Sequence, residues 1–258
     1  MVIYDAHGYL GHNPQFATYG VPLFLGPDEW LRIMDDCGMQ GALVAPPGVG
    51  APDDFKTDLE IIAQAVKSHP DRFFGYARVK PQRGQAALDE LRYWIEERGL
   101  HAVKMNPLDG DYRLDDRSLV DPVMEVVSEL GIPVLFHTGD THGESCTPEM
   151  VADIAIDFPD TTFIIGHLGY PEQDHLLVSA MQRAPNTVTE SASMFRRVVI
   201  QETLDAVGAE RILMGTNGPY SPIEMGPMMF RDYMDSIDEE QTAAILGGNL
   251  MRVLGLKS

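Results

Sequence analysis

The sequence predicts a single (β/α)8 barrel domain spanning residues 1–258. Three observations lead there. Eight short apolar runs, rich in β-branched and aromatic residues, recur from one end of the chain to the other. Segments with helical periodicity separate them, and no linker, charge block or low-complexity tract divides the chain. Near-continuous apolar strands belong to a parallel sheet covered by helices, and eight strand–helix repeats in 258 residues fit a closed barrel better than an open sheet.

In chain order the strands are expected at residues 2–6, 41–45, 73–79, 101–105, 132–137, 162–167, 187–192 and 211–216. Between them, residues 54–68 place Leu59, Ile62, Ala63 and Val66 on one helical face. Residues 85–98 do the same with Leu88, Leu91 and Ile95, and residues 119–130 with Val123, Val126, Val127 and Leu130. Gly99 and Gly131 follow helices as capping glycines, and Pro70 and Pro159 stop others. Residues 239–254 read as an extra helix that closes the barrel.

Charge and composition narrow the function. With 19 Lys and Arg against 39 Asp and Glu the formal charge is −20, which argues against nucleic acid or an anionic membrane as partner. A small anionic substrate needs only one or two placed cations and remains open, and a small molecule is the expected partner, with a homodimer as the expected assembly. Cys37 and Cys146 make no disulfide framework, and Met1 to His7 has neither the basic nor the apolar part of a signal peptide. No apolar run approaches the ~20 residues that span a bilayer. A cytoplasmic location is expected.

A barrel carries its chemistry at the C-terminal ends of its strands. Strand one ends in Asp5-Ala6-His7-Gly8-Tyr9, strand four in Lys104-Met105-Asn106 and strand five in His137-Thr138-Gly139-Asp140. Strand six ends in Gly166-His167-Leu168-Gly169, and strand eight in Gly215-Thr216-Asn217. Three of eight histidines thus converge on one rim, and imidazole is both the commonest metal ligand and the natural acid/base near neutral pH. Arg78 and Lys104, near the ends of strands three and four, are candidate anion grips, and each has an ion-paired structural role as its alternative. Glu190 on strand seven and Tyr220 are candidates for the mouth, whereas Tyr4 reads as core packing. His69, His101 and His175 read as structural, and His12 and His142 lie in loops on the active face.

These strand ends, with Arg211-Ile212-Leu213-Met214-Gly215-Thr216 and Ile245-Leu246-Gly247-Gly248-Asn249, resemble the amidohydrolase superfamily. The nearest likeness is to the amidohydrolase-2 branch, which includes aminocarboxymuconate-semialdehyde and resorcylate decarboxylases. The resemblance implies a first-strand His-x-His pair at His7 and Tyr9, histidines at His137 and His167, and an eighth-strand acid at Asn217. Two of these positions depart from the pattern. Tyr9 is a phenol of ordinary pKa near ~10 where an imidazole is expected. Asn217 is a neutral amide where a carboxylate binds metal and takes a proton.

Three readings follow. In the first, one zinc or manganese ion sits on His7, His137 and His167, Asn217 orients water or substrate, and Asp140 or Glu144 acts as base. In the second no metal binds: His137 or His167 is the general acid/base, and Asn217 and Tyr9 donate hydrogen bonds to a developing oxyanion. In the third the barrel is catalytically silent and binds a small molecule or a partner enzyme. The expected enzyme cleaves a C–O, C–N or C–C bond by hydrolysis or non-oxidative decarboxylation of a small carboxylated or aromatic compound. His137, His167 and Asn217 carry the chemistry, and Tyr9, Arg78, Lys104, Asp140 and Glu190 hold the substrate.

Overall fold

The computed structural model describes residues 1–13, 20, 24–48, 55–139, 145–194, 196–232 and 234–256. Eight parallel strands follow one another around the barrel in chain order: β1 (Tyr4–Tyr9), β2 (Gly41–Ala45), β3 (Phe73–Arg78), β4 (Ala102–Met105), β5 (Val134–Phe136), β6 (Phe163–Ile165), β7 (Thr187–Glu190) and β8 (Ile212–Leu213). The seam between β8 and β1 is closed by backbone bonds. Ala6 N–H donates to Met214 O at 2.9 Å and Asn217 N–H to His7 O at 2.8 Å.

Each strand is followed by a helix that covers it: α1 (Pro27–Cys37), α2 (Lys56–Ser68), α3 (Gln85–Arg92), α4 (Arg117–Leu130), α5 (Pro148–Asp157), α6 (Asp174–Arg183), α7 (Arg197–Val207) and α8 (Met225–Asp232). The helix expected over residues 85–98 is α3 continued by a π-helical turn, Tyr93–Glu97. Gly131 caps α4 in the left-handed region (φ 64°), as its position after the last apolar residue predicts. The faces that the periodicity picks out are the buried ones: Leu59, Ile62, Ala63 and Val66 on α2, and Val123, Val126 and Val127 on α4. Burying each of the Leu, Ile and Val side chains among these contributes about 1.5–3 kcal/mol.

Strand positions match expectation; their ends differ in an informative way. β1 begins and ends later than residues 2–6, because its interior half carries His7 and Tyr9, which an apolar pattern does not register. β5, β6, β7 and β8 stop short of the predicted ends, where the chain leaves the hydrogen-bonded ladder to build loops.

The opposite rim is held by two residues of the motifs that resemble the amidohydrolases. The Arg211 guanidinium donates to the carbonyls of Met181, Ala184 and Thr187. Asn249 Nδ2 donates to Ala209 O and Ile212 O, both at 2.8 Å. Gly247 lets the tail close on β1, since a Cβ there would lie 2.8 Å from Val2 O. These motif positions therefore serve the barrel rather than its mouth.

Candidate active site

The site grows from an irregularity in β1. Pairing with β2 runs Asp5↔Ala42 and then Gly8↔Val44, so one extra residue is accommodated around His7. Such bulges re-aim side chains beside functional sites. Asp5 pins the bulge to β8: its carboxylate accepts from His7 N–H (2.9 Å), Thr216 N–H (2.9 Å) and the Thr216 hydroxyl (2.5 Å). Burial, opposed by these bonds, raises its pKa to about 6.

Glu190, at the end of β7, is the organising carboxylate. Its Oε1 accepts from His7 Nδ1–H at 2.9 Å and from the His167 backbone N–H at 2.6 Å, and its Oε2 from Ala192 N–H at 2.6 Å. Burial works against its ionisation, but His7 and these donors outweigh it and hold the pKa down to about 2. A carboxylate only accepts, so the His7 proton lies on Nδ1 and its Nε2 carries the lone pair. Burial first, then Lys104, keeps His7 neutral, with a pKa lowered to about 3.

That bare Nε2 meets a fully buried lysine. Lys104, on β4, places its Nζ within hydrogen-bond distance of His7 Nε2 and 2.5 Å from the Tyr9 hydroxyl. The same Nζ stands 4.1 Å from the centre of the Tyr9 ring. Tyr9 Oη is also 3.2 Å from His7 Nε2. Burial moves Lys104 well below, and Tyr9 well above, their ordinary values.

His167 follows β6 in the left-handed conformation (φ 58°, ψ 19°). This turns its ring so that Nδ1 donates to Ala192 O at 2.8 Å and Nε2 faces His137 Nδ1 at 3.0 Å. A carbonyl cannot donate, so His167 Nε2 is the acceptor and His137 Nδ1 carries the proton between the rings. Burial, with the neighbouring His167 and Lys104, depresses His137 strongly. Burial depresses His167 as well.

Above this buried layer opens a hollow of about 330 Å³, within the size range of small-molecule sites. Tyr9, His137, His167 and Asn217 stand on its wall, joined by Asn106 and Asp109 after β4. Asn217 (φ 60°) donates from Nδ2 to Ser193 Oγ at 2.9 Å. Among the described residues its buried Oδ1 has no hydrogen-bond partner.

The histidines of β1, β5 and β6 therefore do meet: ring centres are 4.9 Å apart for His7 and His167 and 4.7 Å for His137 and His167. His7, Lys104 and Glu190 lie behind the wall, fully buried, rather than on it. Arg78 is also buried, spent on Asp109 Oδ2 (2.9 Å) and Pro46 O (3.2 Å). His12 bonds Asp58 at 2.8 Å and is not on the wall. Asp140, His142 and Glu144 lie outside the described residues. Asn106 directly follows β4, so its place on the wall had a strand-end signal, whereas Asp109, three residues further on, and Asp5 as the stitch of the bulge had none in the residue pattern. Donor atoms of His7, His167 and Glu190 lie within 4.8 Å of one another, the grouping closest to a metal centre among the described residues.

Similar proteins share this architecture. The 5-carboxyvanillate decarboxylase of Sphingomonas paucimobilis superposes with a TM-score of 0.78 at 16% identity, over 99% of both chains. A dihydroxybenzoic acid decarboxylase from Polaromonas sp. JS666, solved with manganese and the inhibitor 2-nitroresorcinol, gives 0.74 at 18% identity, over 98% of this chain and 97% of that one. In sequence, the chain is 23% identical over 232 residues to the 2-amino-3-carboxymuconate-6-semialdehyde decarboxylase of Dictyostelium discoideum. That match takes in 76% of this chain but 64% of the relative's length. The sequence model of the amidohydrolase family matches residues 33–256, and the chain belongs to that family.

Proposed function

We propose that this protein is a non-oxidative decarboxylase of a small hydroxylated aromatic carboxylate, with His137 as the group that moves the proton. The hydrogen-bonded pair of His167 and His137 at the pocket wall is the observation that carries this reading. With the His137 proton on Nδ1, the Nε2 of that ring has a lone pair. An arriving anion raises the basicity of a buried imidazole, so His137 takes up a proton as substrate binds. It delivers the proton to the ring carbon bearing the carboxylate. The C–C bonding pair stays with the ring, carbon dioxide leaves, and a C–H bond replaces the C–C bond with no change in electron count. His167, anchored on Ala192 O, supports the imidazolium through its Nε2. Asn217 Oδ1, in want of a donor, accepts from a substrate hydroxyl. The names of the similar proteins, each a decarboxylase of a carboxylated small molecule, support decarboxylation over hydrolysis.

A resident divalent ion does not fit these residues. All three assigned bonds to Glu190 come from N–H groups, and His7 Nδ1 is bound to that same carboxylate. His7 Nε2 faces an amine, and zinc would need to stand about 2.0–2.1 Å from that nitrogen. Tyr9 resists ionisation, and Asn217 supplies a neutral oxygen. No step is therefore routed through a metal.

Release of carbon dioxide from a panel of hydroxylated benzoates, 2,6-dihydroxybenzoate first, tests the reading. Turnover is expected, falling at least about 100-fold in His137→Gln with the fold intact. Binding without turnover across the panel would support the silent barrel instead, and a variant as fast as its parent overturns the role of His137.

A further inference from the structure

Lys104 is one of the buried groups that the proton transfer does not use, and its surroundings form a short hydrogen-bonded chain. Glu190 Oε1 accepts a hydrogen bond from His7 Nδ1–H. His7 Nε2 then has one lone pair and two neighbours, Lys104 Nζ, which is the closer, and Tyr9 Oη at 3.2 Å. Lys104 also donates to Tyr9 Oη at 2.5 Å. With Nζ the donor in both contacts, one N–H goes to His7 Nε2 and one to Tyr9 Oη, and the protonated amine has no lone pair with which to accept in return. Because the amine fills the lone pair of His7, the hydroxyl proton of Tyr9 has no acceptor behind the wall among the described residues. Tyr9 is on the wall, so that proton has the pocket to turn to.

We propose that Lys104 occupies the place a metal ion would take between His7 and Tyr9, and that it turns the Tyr9 hydroxyl into a hydrogen-bond donor for the carboxylate of the substrate. This rests on the reading of the pocket as one for an aromatic carboxylate. Lys104 is a positioning residue: it touches His7 and Tyr9, and Tyr9 touches the ligand. The departures from the family pattern then fit together. A phenol with a filled acceptor side donates toward the pocket, whereas a metal-binding imidazole turns its lone pair to the ion and its N–H to a supporting partner. The neutral amide of Asn217 avoids setting a second carboxylate against the substrate's own, which an aspartate there would do.

Two titrations into chelator-treated protein test this, one of manganese chloride and one of 2-nitroresorcinol, whose nitro group presents the same planar pair of oxygens as a carboxylate. The parent protein is expected to keep less than about 0.1 manganese per chain after gel filtration. Its affinity for 2-nitroresorcinol should not change with added manganese. Lys104→Met and Tyr9→Phe should each weaken 2-nitroresorcinol at least about tenfold, and the double variant no further, since the two residues act through one hydrogen bond. About one manganese per chain, unweakened binding in either variant, or losses that add in the double variant would overturn the proposal. Should Lys104→Met fail to fold, Tyr9→Phe and the manganese count decide. A parent protein that does not bind 2-nitroresorcinol defeats the reading of the pocket, while the manganese count still judges the place of Lys104.

Discussion

Asn217 illustrates how much a single atom decides at this site. Its Nδ2 is satisfied by Ser193, its backbone N–H closes the barrel on His7, and its Oδ1 is left unpaired beside the pocket. An unmet buried acceptor costs about 1–3 kcal/mol, and a ligand hydroxyl that meets it recovers that cost on binding. Asn217→Asp keeps the size and the acceptor but adds a charge facing the substrate carboxylate. We expect 2,6-dihydroxybenzoate to bind that variant at least about tenfold more weakly, and calorimetric titration would show it. His167→Ala removes the acceptor that fixes the His137 proton on Nδ1. Decarboxylation should fall at least about tenfold, with a smaller effect on substrate affinity, which a split between kcat and KM would reveal. At this scale the identities His7, His137, His167 and Asn217 were legible in the sequence, since each stands at a strand end. The pairing of His7 with Glu190 was not, because 183 residues separate them.

The elements that form the mouth depend on backbone geometry more than on apolar pattern. The loops after β5 and β6 touch at Gly139 (φ 88°), where a Cβ would lie 1.5 Å from Tyr170 O. Gly139→Ala therefore forces the two loops apart and places a side chain in a conformation that only glycine adopts readily. A loss of about 3 kcal/mol is expected, read as a lower urea midpoint at unchanged slope, together with weaker ligand binding. Apolar periodicity located every barrel strand, because interior strands bury both faces. It placed the end of β1 wrongly, because the bulge at His7 fills the barrel with polar groups that a hydrophobic pattern cannot count. The left-handed turn at His167 had only its flanking glycines as a sequence signal, and these do not say which residue takes the positive φ.

For the whole molecule a half-buried histidine makes stability depend on acid. His101, before β4, packs edge-on against Phe74 at 5.2 Å, and its Nδ1 accepts the Gly75 N–H at 3.4 Å, which requires the neutral ring. Burial lowers its pKa from 6.5 to about 4. The unfolded chain binds this proton first, so the contribution is intact above pH 6.5 and is lost as pH falls toward 4. The full shift corresponds to at most about 3 kcal/mol. The urea midpoint should drop between pH 7 and pH 4.5, and by less in His101→Gln; an equal drop in both would place the effect elsewhere.

What the sequence determined alone is the barrel and the rim on which its polar residues gather. Both follow from local order: apolar runs of strand length, helical faces between them, and the rule that strand ends share one face. The tertiary structure alone decided which of those polar groups touch. An extra residue in β1 and a left-handed turn after β6 set His7 on Glu190, Lys104 against His7 and Tyr9, and His167 on His137. Those contacts turn on ångström-scale distances between segments far apart in the chain, and residue spacing holds no record of them.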